Sequence, residues 1–134
     1  MSKDVTETSE IELAQSMHET MQSPKPARTV NILGTEYCLS ESTDREDSGL
    51  VGNSGYCDYS DKRIVIDADF SKSKHPLAFA DLESRKKSTI RHEIIHGFFA
   101  EAALSDYCHN EQLVDWIADM APKLFKAFQE VDAL

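Results

Sequence analysis

The stretch that most constrains this chain is Leu82 to Leu104, LESRKKSTIRHEIIHGFFAEAAL, which has no proline and a single glycine. Such a run reads as one helix of roughly 20 residues, about 30 Å long. Its first half is basic and expected to be wet. Its second half is mostly apolar and expected to be buried. Within that half stand His92 and His96, with Glu93 directly after the first. At about 100° per residue the two histidines fall about 40° apart on one face, so their rings can converge on one ion. Glu93 lies about 100° round from His92, beside such an ion rather than in line to bind it. A carboxylate there can take a proton from a polarised water. Ile94 and Ile95 fill the places between the histidines, and Phe98 and Phe99 follow. A dry surround of that kind strengthens the electrostatics of the site. Gly97 leaves room for close packing or for substrate.

A catalytic zinc site needs a third protein ligand. Beyond His96 comes NEQLVD, residues 110 to 115. Asn110 suits the N-cap of a last helix, because its side chain can accept from the free backbone N–H groups of the first turn. Glu111 and Asp115 then share a face. Glu111 can bind a metal, while Asp115 can accept from the ring N–H of a ligand histidine and so fix its tautomer. Asp106 and His109, in the linking SDYCHN, are alternative ligands that could reach back. Glu101 is nine residues past His92 and points about 180° away, so it is read as a helix charge. His18 and His75 read as surface histidines, and Trp116 is expected to pack the last helix onto the core. Pro122 is expected to kink that helix or restart it.

Strand signals precede the long helix. TVNILG and TEYCLS flank Gly34 as two antiparallel strands, and SGYCDY with KRIVIDADF reads as a second hairpin around Ser60 and Asp61. ESTDREDSG, 41 to 49, reads as a solvated loop. Val30 with Ile32, and Ile64 with Ile66, alternate with other residues, which implies a sheet buried on one face and partly wet on the other. Residues 1–28 form a lead-in whose Ile11, Leu13, Ala14, Met17 and Met21 hint at a short amphipathic helix ended by SPKPAR. Strands first and helices after give an α+β fold, a small, mostly antiparallel sheet packed on the central helix, in one domain over 29–134.

The charge is −10, from 14 basic and 24 acidic residues. That opposes nucleic-acid binding, which needs clustered Lys and Arg to displace counterions. No apolar run approaches the roughly 20 residues needed to span a bilayer, so no membrane partner is expected. The polar, acidic start MSKDVTETSEIEL does not read as a secretory signal. Cys38, Cys57 and Cys108 are odd in number and form no C-x-x-C pair, which suggests reduced thiols in the cytoplasm. Cys57, Cys108 and His109 forming a second metal site is the alternative.

HEIIH followed by N-E-x-x-x-D resembles the gluzincins, the thermolysin-like zinc metallopeptidases. TIRHEIIHGF is similar to the longer zincin signature, and the short chain with hairpins before its helix is similar to minimal gluzincins and to small phage or prophage HExxH metallopeptidases. The motif likeness covers residues 89–115 and the fold-level likeness residues 28–130. The resemblance implies a zincin-like fold with one Zn2+ bound by His92, His96 and Glu111. Glu93 would be the base, Asp115 would orient His92, and the C-terminal helix would carry the third ligand. It also implies a peptide or protein substrate lying extended along an edge strand, for which residues 63–69 are the candidate. The larger peptidases stabilise the tetrahedral intermediate with a histidine or tyrosine from a further domain. In 134 residues that part falls to Tyr56, Tyr59, Tyr107 or His109. The expected activity is zinc-dependent peptide hydrolysis. The alternative is a catalytically silent zinc domain that engages a protein partner.

Overall fold

A computed structural model describes residues 26–69 and 82–134. The lead-in stripe, His18 and the segment bearing His75 lie outside them. The described residues form an α+β fold of β1 (Arg28–Ile32), β2 (Thr35–Ser42), β3 (Gly55–Asp58), β4 (Arg63–Asp67), α1 (Leu82–Glu101), α2 (Ser105–Cys108) and α3 (Glu111–Glu130). A single 3-10 turn spans Ser48–Leu50. None of the described helices is long and apolar enough to cross a membrane.

Both expected hairpins form, and local chemistry explains each. Leu33 and Gly34 have φ of 50° and 90°, a two-residue turn whose twist matches that of the flanking strands. Asn31 Oδ1 accepts from Gly34 N at 2.8 Å and closes it. At the other hairpin Asp58 Oδ1 accepts from Ser60 N at 3.1 Å, Ser60 Oγ at 2.7 Å and Asp61 N at 3.1 Å.

The two hairpins join through a parallel pair. The order is β1-β2-β4-β3, with β2 and β4 parallel from Cys38↔Arg63 to Ser42↔Asp67. The sheet is therefore mixed, although two of its three pairings are antiparallel. This corrects the expectation that residues 63–69 form an edge. Strand β4 is paired on both sides, and the edges are β1 and β3. Ile64, Val65, Ile66 and Asp67 are all buried, so both faces of β4 are covered. A continuous buried run of this kind belongs to an interior strand with parallel pairing. The charged stretch 41–49 is also more structured than a solvated loop. Asp47 Oδ1 accepts from Gly49 N at 2.9 Å and its Oδ2 from Tyr56 Oη at 2.5 Å, while Leu50 is fully buried.

One face of the sheet carries the core, Ile32, Tyr37, Leu39, Ile64 and Ile66, against which Ile90 and Ile94 of α1 pack. Each such burial contributes on the order of 1.5–3 kcal/mol. Gly97 serves close packing, since a Cβ there would meet Ile32 Cδ1 at 2.7 Å. The buried residues of α1 are Glu93, His96 and Gly97, whereas Ile94 and Ile95 are half-buried and Phe98 is exposed. The helix turns its chemical groups inward as much as its apolar ones.

Glu101 ends α1 and ties it to both hairpins. Its carboxylate accepts from Tyr37 Oη at 2.6 Å, Lys62 Nζ at 2.7 Å and Thr35 Oγ1 at 3.1 Å. Lys62 first, then Tyr37, hold its pKa down at about 2. A carboxyl depressed in the folded state contributes stability that is present above its unfolded pKa and is lost as pH falls through the folded one. Glu101→Gln is therefore expected to lower Tm at pH 7. Melting curves across pH should show the gap to wild type closing between 4.5 and about 2.

Asn110 caps α3 as expected, its Oδ1 accepting from Leu113 N at 3.0 Å. The helix runs through Pro122 without a break. Proline lacks the N–H that would bond the carbonyl four residues back, which is that of Ala118. Arg91 Nε of α1 donates to that oxygen instead, at 2.7 Å. Val114 and Ala118 are buried. Trp116 is 61% exposed and does not pack α3 onto the core. It stands about 200° round from Val114, on the far side of the helix.

Candidate metal centre

Helices α1 and α3 run antiparallel, and their contacts repeat every four residues. His96, His92 and Ser88 of α1 face Glu111, Asp115 and Asp119 of α3 in turn. His96 Nε2 lies 3.1 Å from Glu111 Oε1, His92 Nδ1 is 2.7 Å from Asp115 Oδ1, and Ser88 Oγ donates to Asp119 Oδ1 at 3.2 Å. Residues four apart stack on one helix face, so a ladder of one side chain per turn follows from the spacing.

Three donor atoms converge in this ladder. His92 Nε2 is 3.0 Å from His96 Nε2 and 3.0 Å from Glu111 Oε2. His92, His96 and Glu111 each offer one ligand atom, all within 4.8 Å of one another, so the group could hold a metal ion. Donors bound at roughly 2.0–2.1 Å in a tetrahedral array lie about 3.3 Å apart, close to the spacing here. His92 Nδ1 faces the Asp115 carboxylate, which leaves its Nε2 turned toward the other two donors. Donor atoms this close must share a proton or a cation among them. Two imidazoles and one carboxylate are a donor set suited to zinc.

Glu93 stands beside this group, its Oε1 3.8 Å from His92 Nε2. Burial pushes its pKa up to about 7; His92 opposes the rise, and Glu111 and Asp115 add to it. The group opens on a cleft of about 900 Å³ lined by β3, α1 and the start of α3. Tyr56, Tyr59 and His109 line the cleft, whereas Tyr107 stacks on Phe99 with ring centroids 6.0 Å apart and is not among the lining residues. Tyr56 Oη donates a hydrogen bond to Asp47 Oδ2, and Tyr59 Oη accepts one from Cys108 Sγ at 3.1 Å. Asp106 and His109 do not join the ligand group, and among the described residues Cys57, Cys108 and His109 form no second one. All three cysteines are free, and burial first, then Glu93, push the Cys57 thiol up to about 12.

No family model, no curated protein and no solved structure matches this chain. The site is thus defined by its own geometry.

Three features escaped the sequence reading. Asp119 and Ser88 extend the ladder by one rung, and their spacing from Asp115 and His92 was a usable signal. Arg91 ties the helices together beside the site, which only the missing N–H of Pro122 hinted at. Cys108 Sγ lies 3.9 Å from His96 Nδ1, a contact with no sequence signature. Among the outer contacts, that of Asp115 is the closest, and such partners typically govern metal affinity by 10–100-fold. Asp115→Ala is expected to weaken metal binding at this group by about that factor at unchanged stoichiometry, as read with zinc as the probe by competition with a chromophoric chelator.

Proposed function

We propose that this chain is a zinc-dependent peptidase of gluzincin type, with one zinc ion held by His92, His96 and Glu111. The observation that carries the proposal is the convergence of those three donors next to a buried carboxylate of raised pKa, on the wall of an open cleft. A zinc ion there supplies Lewis acidity, lowering the pKa of water toward 7 and polarising a substrate carbonyl. Glu93 accepts the proton released by the attacking water and passes it to the departing amine.

Asp115 holds the His92 ring in one tautomer. The edge strand β3 (Gly55–Asp58) lines the cleft beside α1, so an extended peptide can pair with its free side. That role moves from residues 63–69 to residues 55–58. His109 and Tyr59, both on the cleft wall, are the side chains best situated to donate a hydrogen bond to the developing oxyanion.

The test is cleavage of a mixed peptide library by the full chain, loaded with one equivalent of zinc and compared with the chelated protein. Zinc-dependent cleavage is the expected result. Tight one-to-one zinc binding without cleavage of any peptide or lysate protein would replace this reading with a silent, partner-binding zinc domain.

A further inference from the structure

A second groove, of about 430 Å³, runs between the edge strand β1 and helix α1. Its apolar lining includes Val30, Ile90 and Ile94, all half-buried against the core. Arg28, Lys87 and Arg91 also line it, and none of its lining residues is acidic. The chain as a whole carries −10, so this groove is a basic exception on an acidic molecule. Arg91 is engaged through its Nε on α3. Arg28 and Lys87 are exposed, and among the described residues neither forms an ion pair. An apolar floor beneath unpaired cations fits an acidic amphipathic segment.

The chain itself supplies one. Residues 4–22 carry five acidic side chains and no lysine or arginine. At about 100° per residue, Leu13, Ala14, Met17 and Met21 fall within about 60° of Glu10 round a helix. Glu7 lies on that face too, one turn earlier, whereas Glu12 and Glu19 point away. A single face thus presents two carboxylates followed by an apolar stripe.

Lengths agree as well. From Lys87 to Ile94 the groove is about 11 Å long, and Glu10 to Met21 spans about 16 Å of helix. Ile32 packs at Gly97, so Arg28, at the other end of β1, lies toward Lys87. Residues 23–27, SPKPA, contain two prolines that favour an extended chain of about 15 Å. That suffices to carry the chain from the Ile94 end of the groove back to Arg28. So short a tether keeps the segment at an effective concentration of about the millimolar range.

We infer that residues 10–21 dock as a helix in this groove, parallel to α1. Met21 and Met17 then cover Ile94 and Ile90, and Glu7 and Glu10 meet Arg28 and Lys87. The inference does not depend on the zinc reading.

Hydrogen exchange of the full chain, read by mass spectrometry, tests it. Amides of residues 11–21 should exchange roughly 10-fold or more slower in wild type than in Met17→Asp, since so short a helix is marginal without a surface to dock on. Lys87→Glu and Glu10→Lys should each speed that exchange several-fold, and the two together should slow it again. Exchange in β2 and β4 should be the same in every variant. Rapid exchange of residues 11–21 in wild type overturns the inference. Slow exchange that survives both Met17→Asp and Lys87→Glu does so too, because it places the segment elsewhere. Protection that fades on dilution gives the groove to the same segment of a second copy and overturns docking within one chain. Failure of the double reversal to slow exchange overturns the pairing of Glu10 with Lys87.

Discussion

On the proposed zinc-peptidase reading, replacing Glu93 with glutamine is expected to leave zinc bound and to lower peptide cleavage by roughly 10²–10⁴-fold, the usual contribution of a positioned general base. Glutamine keeps the shape and loses the ability to carry a proton. Glu93 lies outside the group of three ligand donors, so metal affinity should change little. Stability is a second readout that separates lost chemistry from lost fold. Burial raises the Glu93 pKa from 4.5 to about 7 in the metal-free protein. A carboxyl raised in the folded state costs stability as pH climbs from the unfolded value through the folded one. The metal-free variant should therefore match wild type below pH 4.5 and exceed it at pH 8, by up to roughly 3 kcal/mol. Peptide turnover and metal-free melting curves on the same two proteins check both statements. Undiminished cleavage by Glu93→Gln would remove Glu93 from the mechanism.

Glu111→Ala removes the only ligand donor that α3 contributes and should abolish tight zinc binding. In wild type, zinc at about a thousand times its Kd should stabilise the folded state by roughly 4 kcal/mol, provided that it binds that state and not the unfolded chain. For a domain of this length such a gain raises Tm by about 10 °C or more. The variant should show almost none of that shift, and its metal-free Tm should stay near wild type because the Glu111 side chain is 65% exposed. Calorimetry with and without zinc makes the comparison. A full zinc shift in Glu111→Ala would mean that another donor, such as His109, completes the site.

The residues of the site were legible because chemistry and helical period coincide. His92 and His96 stack one turn apart on one helix, and Glu111 and Asp115 do so on another, so each pair could be read locally. That the two pairs meet is a tertiary fact, yet the shared spacing of four anticipated it. Both hairpins were legible, one from Gly34 and the other from Ser60 and Asp61. The parallel junction between β2 and β4 was not, since no local signal encodes which strand lies beside which. Hence the edge was assigned to residues 63–69, although the unbroken burial of Ile64 to Asp67 reflects an interior strand. Trp116 went astray for a similar reason. A large apolar side chain was assumed to face inward, while the period of α3 turns it away from Val114 and Ala118.

A ladder that repeats every four residues is nearly degenerate. Sliding α3 one turn along α1 would bring Asp115 to His96 and Asp119 to His92, and the result would still look like a histidine–carboxylate site. Pro122 breaks this tie, because it leaves the oxygen of Ala118 without its helical partner, and the guanidinium of Arg91 reaches that oxygen in one alignment only. In the slipped arrangement a polar atom would go unpaired, at a cost of about 1–3 kcal/mol. A single imino acid thereby indexes two helices and decides which carboxylate stands opposite each imidazole.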